Sequence, residues 1–162
     1  MARSKTTAER GKFKQMIHSA LYLNANIIEL LLGDTTSMSN SQKRELFKEH
    51  VKSHLFIDDT ITETGSFIFY DVVFPVLHPH TKTCKIVMYA ICHRDILEGY
   101  VKDGYYGDRS DILSQMIEDT LINDEDFSNK FGIGELTLDS LDVYNATRFY
   151  GTKLIFSVPS FR

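Results

Sequence analysis

From Phe13 to Leu32 apolar residues return at three- and four-residue steps, through Ile17, Leu21, Asn24, Ile28 and Leu31. That spacing lays one apolar stripe along a predicted helix, and Gly33 stands where a left-handed terminating residue belongs. A second helix starts at Ser39 or Ser41 and runs through Phe47 and Val51 to Leu55, with Lys43, Arg44, Lys48, Glu49 and Lys52 outward. Its narrower stripe places it at the periphery.

The period then changes. After a polar connector from Ile57 to Thr64, nearly every residue from Phe67 to Phe74 is apolar or aromatic, so both faces of this predicted strand must be covered. Pro75 and Pro79 end it, because neither can donate to a ladder. The chain turns at His78 to Thr81 and returns as a strand from Thr83 to His93. An irregular, glycine-loosened stretch from Arg94 to Asp111 leads to a helix with its stripe on Ile112, Leu113, Met116, Ile117 and Leu121, capped by Asp108 or Ser110. Beyond an acidic turn region, two strand-like runs, Glu135 to Tyr144 and Arg148 to Val158, are joined by Asn145, Ala146 and Thr147. These elements predict an α+β domain, order α-α-β-β-α-β-β, with a mixed, mainly antiparallel sheet of about four strands carrying the N-terminal and central helices.

At 162 residues the chain is long enough for one domain that buries roughly 70% of its unfolded surface. Its three prolines and 43% hydrophobic share fit a packed fold rather than a disordered one. No run approaches membrane-spanning length, and Met1 to Thr7 lacks the apolar centre of a signal peptide. Cys84 and Cys92, eight residues apart in one predicted strand, cannot pair there and read as buried thiols of a reducing compartment.

Charge is uneven. Residues 1–14 hold Arg3, Lys5, Arg10, Lys12 and Lys14 against Glu9, which leaves 13 cations against 21 acids in the rest. We therefore expect residues 1–12 to be a basic arm ahead of a single domain at 13–162, reaching an acidic neighbour.

Candidate chemistry adds little. His78, His80, Cys84, Cys92 and His93 match no common zinc spacing. The carboxylate groups at Asp58-Asp59, Asp124 to Asp126 and Asp139 with Asp142 have nothing to hold them in a dry cleft, as acid/base catalysis requires. Gly132-Ile133-Gly134 lacks the strand-before, helix-after setting of a nucleotide loop. Asp71 is the odd placement, one acid inside an apolar strand, expected at an edge or interface. Neither catalysis nor a cofactor is expected.

The order of elements carries more. A helix ending Leu30-Leu31-Leu32-Gly33, strands Phe67-Ile68-Phe69-Tyr70 and Ile86-Val87-Met88-Tyr89-Ala90, a helix from Ile112 to Leu121 and a closing strand Tyr150-Gly151-Thr152-Lys153-Leu154-Ile155-Phe156 together resemble the tail terminator and tail-completion proteins of long-tailed bacteriophages. The resemblance covers most of residues 13–158. It implies a virion protein of the tail and neck, assembled in the host cytoplasm. Copies form a ring, usually a hexamer, that ends the tail tube, docks on the neck connector and leaves a channel through which DNA passes without specific binding. An acidic wall suits such a channel, because it offers phosphates no grip. The extra helix near Gln42 to Lys52 and the loop at 98–108 exceed the minimal version of that fold. A different head-tail adaptor, a tube-associated neck protein and a small soluble regulator are the alternatives. Contact residues expected on a ring subunit are Arg3, Lys5 and Arg10 of the arm, Asp58 and Asp59, the loop tyrosines Tyr100, Tyr105 and Tyr106, and Asp139 with Asp142.

Overall fold

The computed structural model describes residues 6–58, 61, 63–78, 81–123 and 136–161. In chain order they form α1 (Thr6–Leu23), α2 (Ala25–Leu32), α3 (Asn40–His50), β1 (Val51–Lys52), β2 (Ser66–Leu77), β3 (Thr81–His93), a 3-10 turn (Arg94–Ile96), α4 (Arg109–Glu118) running into a π turn (Asp119–Asn123), β4 (Thr137–Asn145) and β5 (Phe149–Phe161). The strands make one mixed sheet in the order β1-β2-β3-β5-β4. The α+β class and the helix-then-strand order agree with the hydrophobic pattern.

The first helix departs from expectation in two ways. It begins at Thr6, ahead of the expected start at Phe13, so Arg10 and Lys12 of the basic stretch lie within α1. Glu9 is buried and receives a hydrogen bond from Lys82 of β3, itself buried, which pins the start of α1 to the sheet. The helix also breaks at Asn24, whose side chain accepts from the N–H groups of Asn26 (2.9 Å) and Ile27 (3.2 Å) and so caps α2. Asn24 Nδ2 then donates to Thr120 beyond α4 at 2.7 Å, anchoring the break.

Ser39 caps α3 through a reciprocal pair with Gln42. The helix stops at His50, short of the expected Leu55, because Val51 turns extended and pairs in parallel with Ile68. This fifth strand makes the sheet mixed. Phe47 is fully buried and edge-on to the rings of His18 and Tyr22 (5.1 Å each), so α3 packs more deeply than its narrow stripe implied.

Strand alternation divides β2. Ile68, Tyr70 and Val72 join the main core beneath the helices, together with Ile86, Met88, Leu154 and Phe156. Phe67 and Phe69 point the other way and form a second cluster with Ile91 and Phe149, which Ile57 and Ile61 of the connector partly cover. Pro75 does not end the strand; it lies in a register irregularity between Val73 and Val76, where a missing N–H is tolerated.

The closing pair is asymmetric. β5 lies inside the sheet between β3 and β4, whereas β4 forms the outer edge. Gly151 of β5 faces Ile91 so closely that a Cβ built there would lie 2.8 Å from the Ile91 Cα.

Candidate functional site

Four separate surfaces hold the described residues that sequence pattern marked for contact, and a fifth was not foreseen. The tyrosine loop is tied down rather than free. Lys102 pairs with Glu29 at 2.9 Å, the Tyr105 hydroxyl donates to Asp119 (3.2 Å) and accepts from Asn26 (3.4 Å), and Gln115 bonds both the N–H and C=O of Tyr106. Tyr100 is half-buried under the Arg109 guanidinium, whose carbon lies 4.6 Å from the ring centroid. Its hydroxyl is buried with no hydrogen-bond partner among the described residues, and burial raises its pKa. Of the three tyrosines, Tyr106 is the most exposed, at 79%, and Val101 of the same loop is exposed too.

Arg109 escaped notice in the sequence. It donates to the Leu30 carbonyl at 2.6 Å and to Ser66 Oγ at 2.8 Å, joining the end of α2, the start of β2 and the loop. Its signal was a cation just after the helix cap Asp108, a common pattern that says nothing of such distant partners.

At the β2 edge, Asp71 explains itself. Its Oδ1 accepts from the next N–H, Val72, at 2.8 Å, from Arg10 at 2.5 Å and from Lys14 at 3.0 Å. Arg10 Nε in turn donates to the Val72 carbonyl at 2.7 Å. Side chains thus occupy both backbone groups of Val72, which closes this edge to another strand. Burial alone would raise the Asp71 pKa, but the Lys14 hydrogen bond, the Val72 N–H and the charges of Lys14 and Arg10 outweigh it and hold the carboxyl below its ordinary range.

The opposite edge has no such device among the described residues. β4 carries Asp139 and Asp142 and no cation, and Leu141 and Val143 are 57% and 65% exposed. Asp139 sits at a register irregularity and accepts from Thr137 at 3.0 Å. Asp142 stands opposite Lys153 in register but forms no ion pair with a described residue. Asp58 lies elsewhere, in a cavity of about 350 Å³ shared with Arg148 and Tyr144. Arg3, Lys5 and Asp59 lie outside the described residues. The fold therefore scatters the expected contact residues over separate surfaces.

The unforeseen feature is a basic groove of about 580 Å³ between α1, the end of α3 and β1. Lys14, His18, Lys48, Lys52 and His54 line it over a floor that includes Val51 and Tyr70, with no acid among its lining residues. A smaller adjoining cavity shares His18 and Lys48 and adds Arg44. Burial, then the Lys48 charge, lowers the His18 pKa. Lys14 is engaged by Asp71 and by the Ser53 carbonyl, whereas Lys48 and Lys52 have no acidic partner among the described residues.

The sequence matches the YomW family over residues 24–158, from the cap of α2 to β5. The chain belongs to the YomW family. YomW is a phage-related family, so this is a phage-associated protein. The matched stretch holds α2, α3, α4 and the sheet up to Val158 of β5, and leaves all of α1 outside. Comparison with curated proteins returns no match.

The remaining chemistry of this YomW-family chain is subdued among the described residues. Cys84 and Cys92 are free and buried, and burial pushes their thiols up to about 12 and about 11, which keeps them protonated. Among the described residues no cluster of three or more His, Cys, Asp or Glu side chains is placed to hold a metal. His78 is exposed past β2, and His80 lies outside the described residues. Among the described residues no helix is long and apolar enough to cross a membrane. What the arrangement does offer is contact: a braced aromatic loop, an acidic edge with apolar side chains, and a basic groove.

Proposed function

We propose that this chain is a structural protein of a tailed-phage virion, forming a ring that terminates the tail tube, joins it to the neck connector and leaves a channel for DNA. The observation that carries the reading is the inequality of the two sheet edges: one is closed by Asp71 and Arg10, the other is acidic, apolar and open among the described residues. Two different surfaces that complement each other pair head to tail, and head-to-tail contacts close into rings when the rotation between neighbours divides a circle. Membership of a phage-related family supports the same reading. The role is mechanical and assigns the chain no catalysis and no cofactor.

The test joins particle and solution. Antibody raised against the chain should label virions where tail meets neck, and electron micrographs of the purified protein should show rings, sixfold on this reading. Its absence from purified particles would overturn the proposal, and so would a monomeric mass at every concentration.

A further inference from the structure

The strand order places β4 and β1 at opposite edges of one five-stranded sheet, roughly 19 Å apart at four strand spacings. The β4 edge is acidic, with Asp139 and Asp142, and exposes Leu141 and Val143. Beside β1 lies the basic groove, where Lys48 and Lys52 have no acidic partner among the described residues, and Phe56, two residues past the groove's His54, is 71% exposed. The two sides complement each other in charge and in apolar surface, yet they cannot meet within one molecule.

We propose that the basic groove between α1, α3 and β1 receives the acidic β4 edge of a second copy of this chain. The contact is heterologous, since the donor edge and the acceptor groove are different surfaces. Lys48 and Lys52 meet Asp139 and Asp142, while Leu141 and Val143 cover the exposed Phe56. Pairing β4 with β4 of another copy would instead set acids near acids, which is unfavourable across strands. Capping of Val72 by Asp71 and Arg10 fits this arrangement, because it keeps the strand beside the groove from pairing with a wrong edge. Nucleic acid is the competing occupant of a basic groove. The acidic edge is favoured because the same molecule supplies it in equal number, with apolar side chains that a phosphate backbone would leave uncovered.

This inference rests on the ring reading, and charge exchange separates the two. Asp139→Lys/Asp142→Lys makes both surfaces basic, and Lys48→Glu/Lys52→Glu makes both acidic; all four side chains sit on the surfaces concerned, outside the main core. Each double variant should weaken self-association at least about tenfold, measured by sedimentation across a concentration series. An equimolar mixture of the two, or the quadruple variant, should restore the assembly. Wild-type oligomers untouched by either reversal would overturn the groove-to-edge contact and leave the ring reading standing. A wild-type monomer throughout, with none of the mixtures assembling, would overturn both. A mass that stops at a dimer would refute the head-to-tail geometry. Binding of a labelled double-stranded DNA oligonucleotide that Lys48→Glu/Lys52→Glu abolishes, without change in assembly, would assign the groove to nucleic acid instead.

Discussion

Replacing Asp71 by alanine tests whether that carboxylate closes the β2 edge. One oxygen accepts from the Val72 N–H, from Arg10 and from Lys14, so the substitution removes one backbone hydrogen bond and two partly exposed charge pairs. The hydrogen bond contributes about 1 kcal/mol, and each pair, screened by solvent, about 0.2–1 kcal/mol, for a total of roughly 1.5–3 kcal/mol. In a chain of 162 residues that lowers the melting temperature by roughly 3–12 °C. Asp71→Asn keeps an oxygen for the Val72 N–H but loses the charge, so its loss should be the smaller. Because the folded carboxyl titrates below its ordinary range, its contribution is present above the unfolded pKa and fades as pH falls through the folded value. Urea unfolding should separate wild type from Asp71→Ala at pH 7, and the gap should narrow as the pH falls from there through and below the ordinary carboxylate range. A gap of equal size at pH 7 and below that range would refute the electrostatic account of this edge.

Lys82→Met strips the buried Glu9 of its ammonium and should cost about 3 kcal/mol or more in denaturant unfolding, with part recovered by adding Glu9→Gln; a loss below about 1 kcal/mol would mean that the pair does not pin α1. Phe47→Ala empties the space between α1 and α3 and should cost about 3–5 kcal/mol, and it should raise hydrogen exchange in α3 above that in α4; uniform exchange would argue against independent docking of α3. Gly151→Ala drives a methyl into the β3 backbone and should cost more than 3 kcal/mol, on the order of a severe core disruption, read by thermal melting; a neutral outcome would show that β3 and β5 can separate. A thiol-reactive dye at about pH 8 should leave Cys84 and Cys92 untouched in the folded protein and label both after unfolding, whereas fast native labelling would contradict their burial.

The helices and long strands were legible because each carries a strong period. Ile17, Leu21 and Ile28 mark one stripe, Phe67 to Phe74 read as a strand covered on both sides, and the cap at Ser39 was visible as a residue type. Boundaries failed where a single local contact overrode the pattern. Asn24 lies on the apolar stripe yet breaks the helix, because its side chain competes for the backbone N–H groups that follow. Pro75 reads as a stop yet stays in the strand, because a register irregularity spares the missing donor. Lys14 read as part of the basic N-terminal stretch and Lys48 and Lys52 as outward charges of one helix, since residues from two helices and a two-residue strand become one groove only when those elements pack.

The sequence by itself determined the class of the fold and its charge asymmetry, because periodicity and net charge are properties of the order of residues. Only the tertiary structure decided which edge of the sheet is closed and which is open. That outcome turns on long-range partners: Arg10 reaches Asp71 from 61 positions away, and Arg109 reaches Leu30 from 79. Such contacts depend on how α1 and α4 lie across the sheet, a consequence of packing that no local pattern of polar and apolar residues encodes. The strand pair that closes the chain illustrates both halves: its alternation announced two strands, and the sheet alone decided that β5 would be buried and β4 left as the acidic edge.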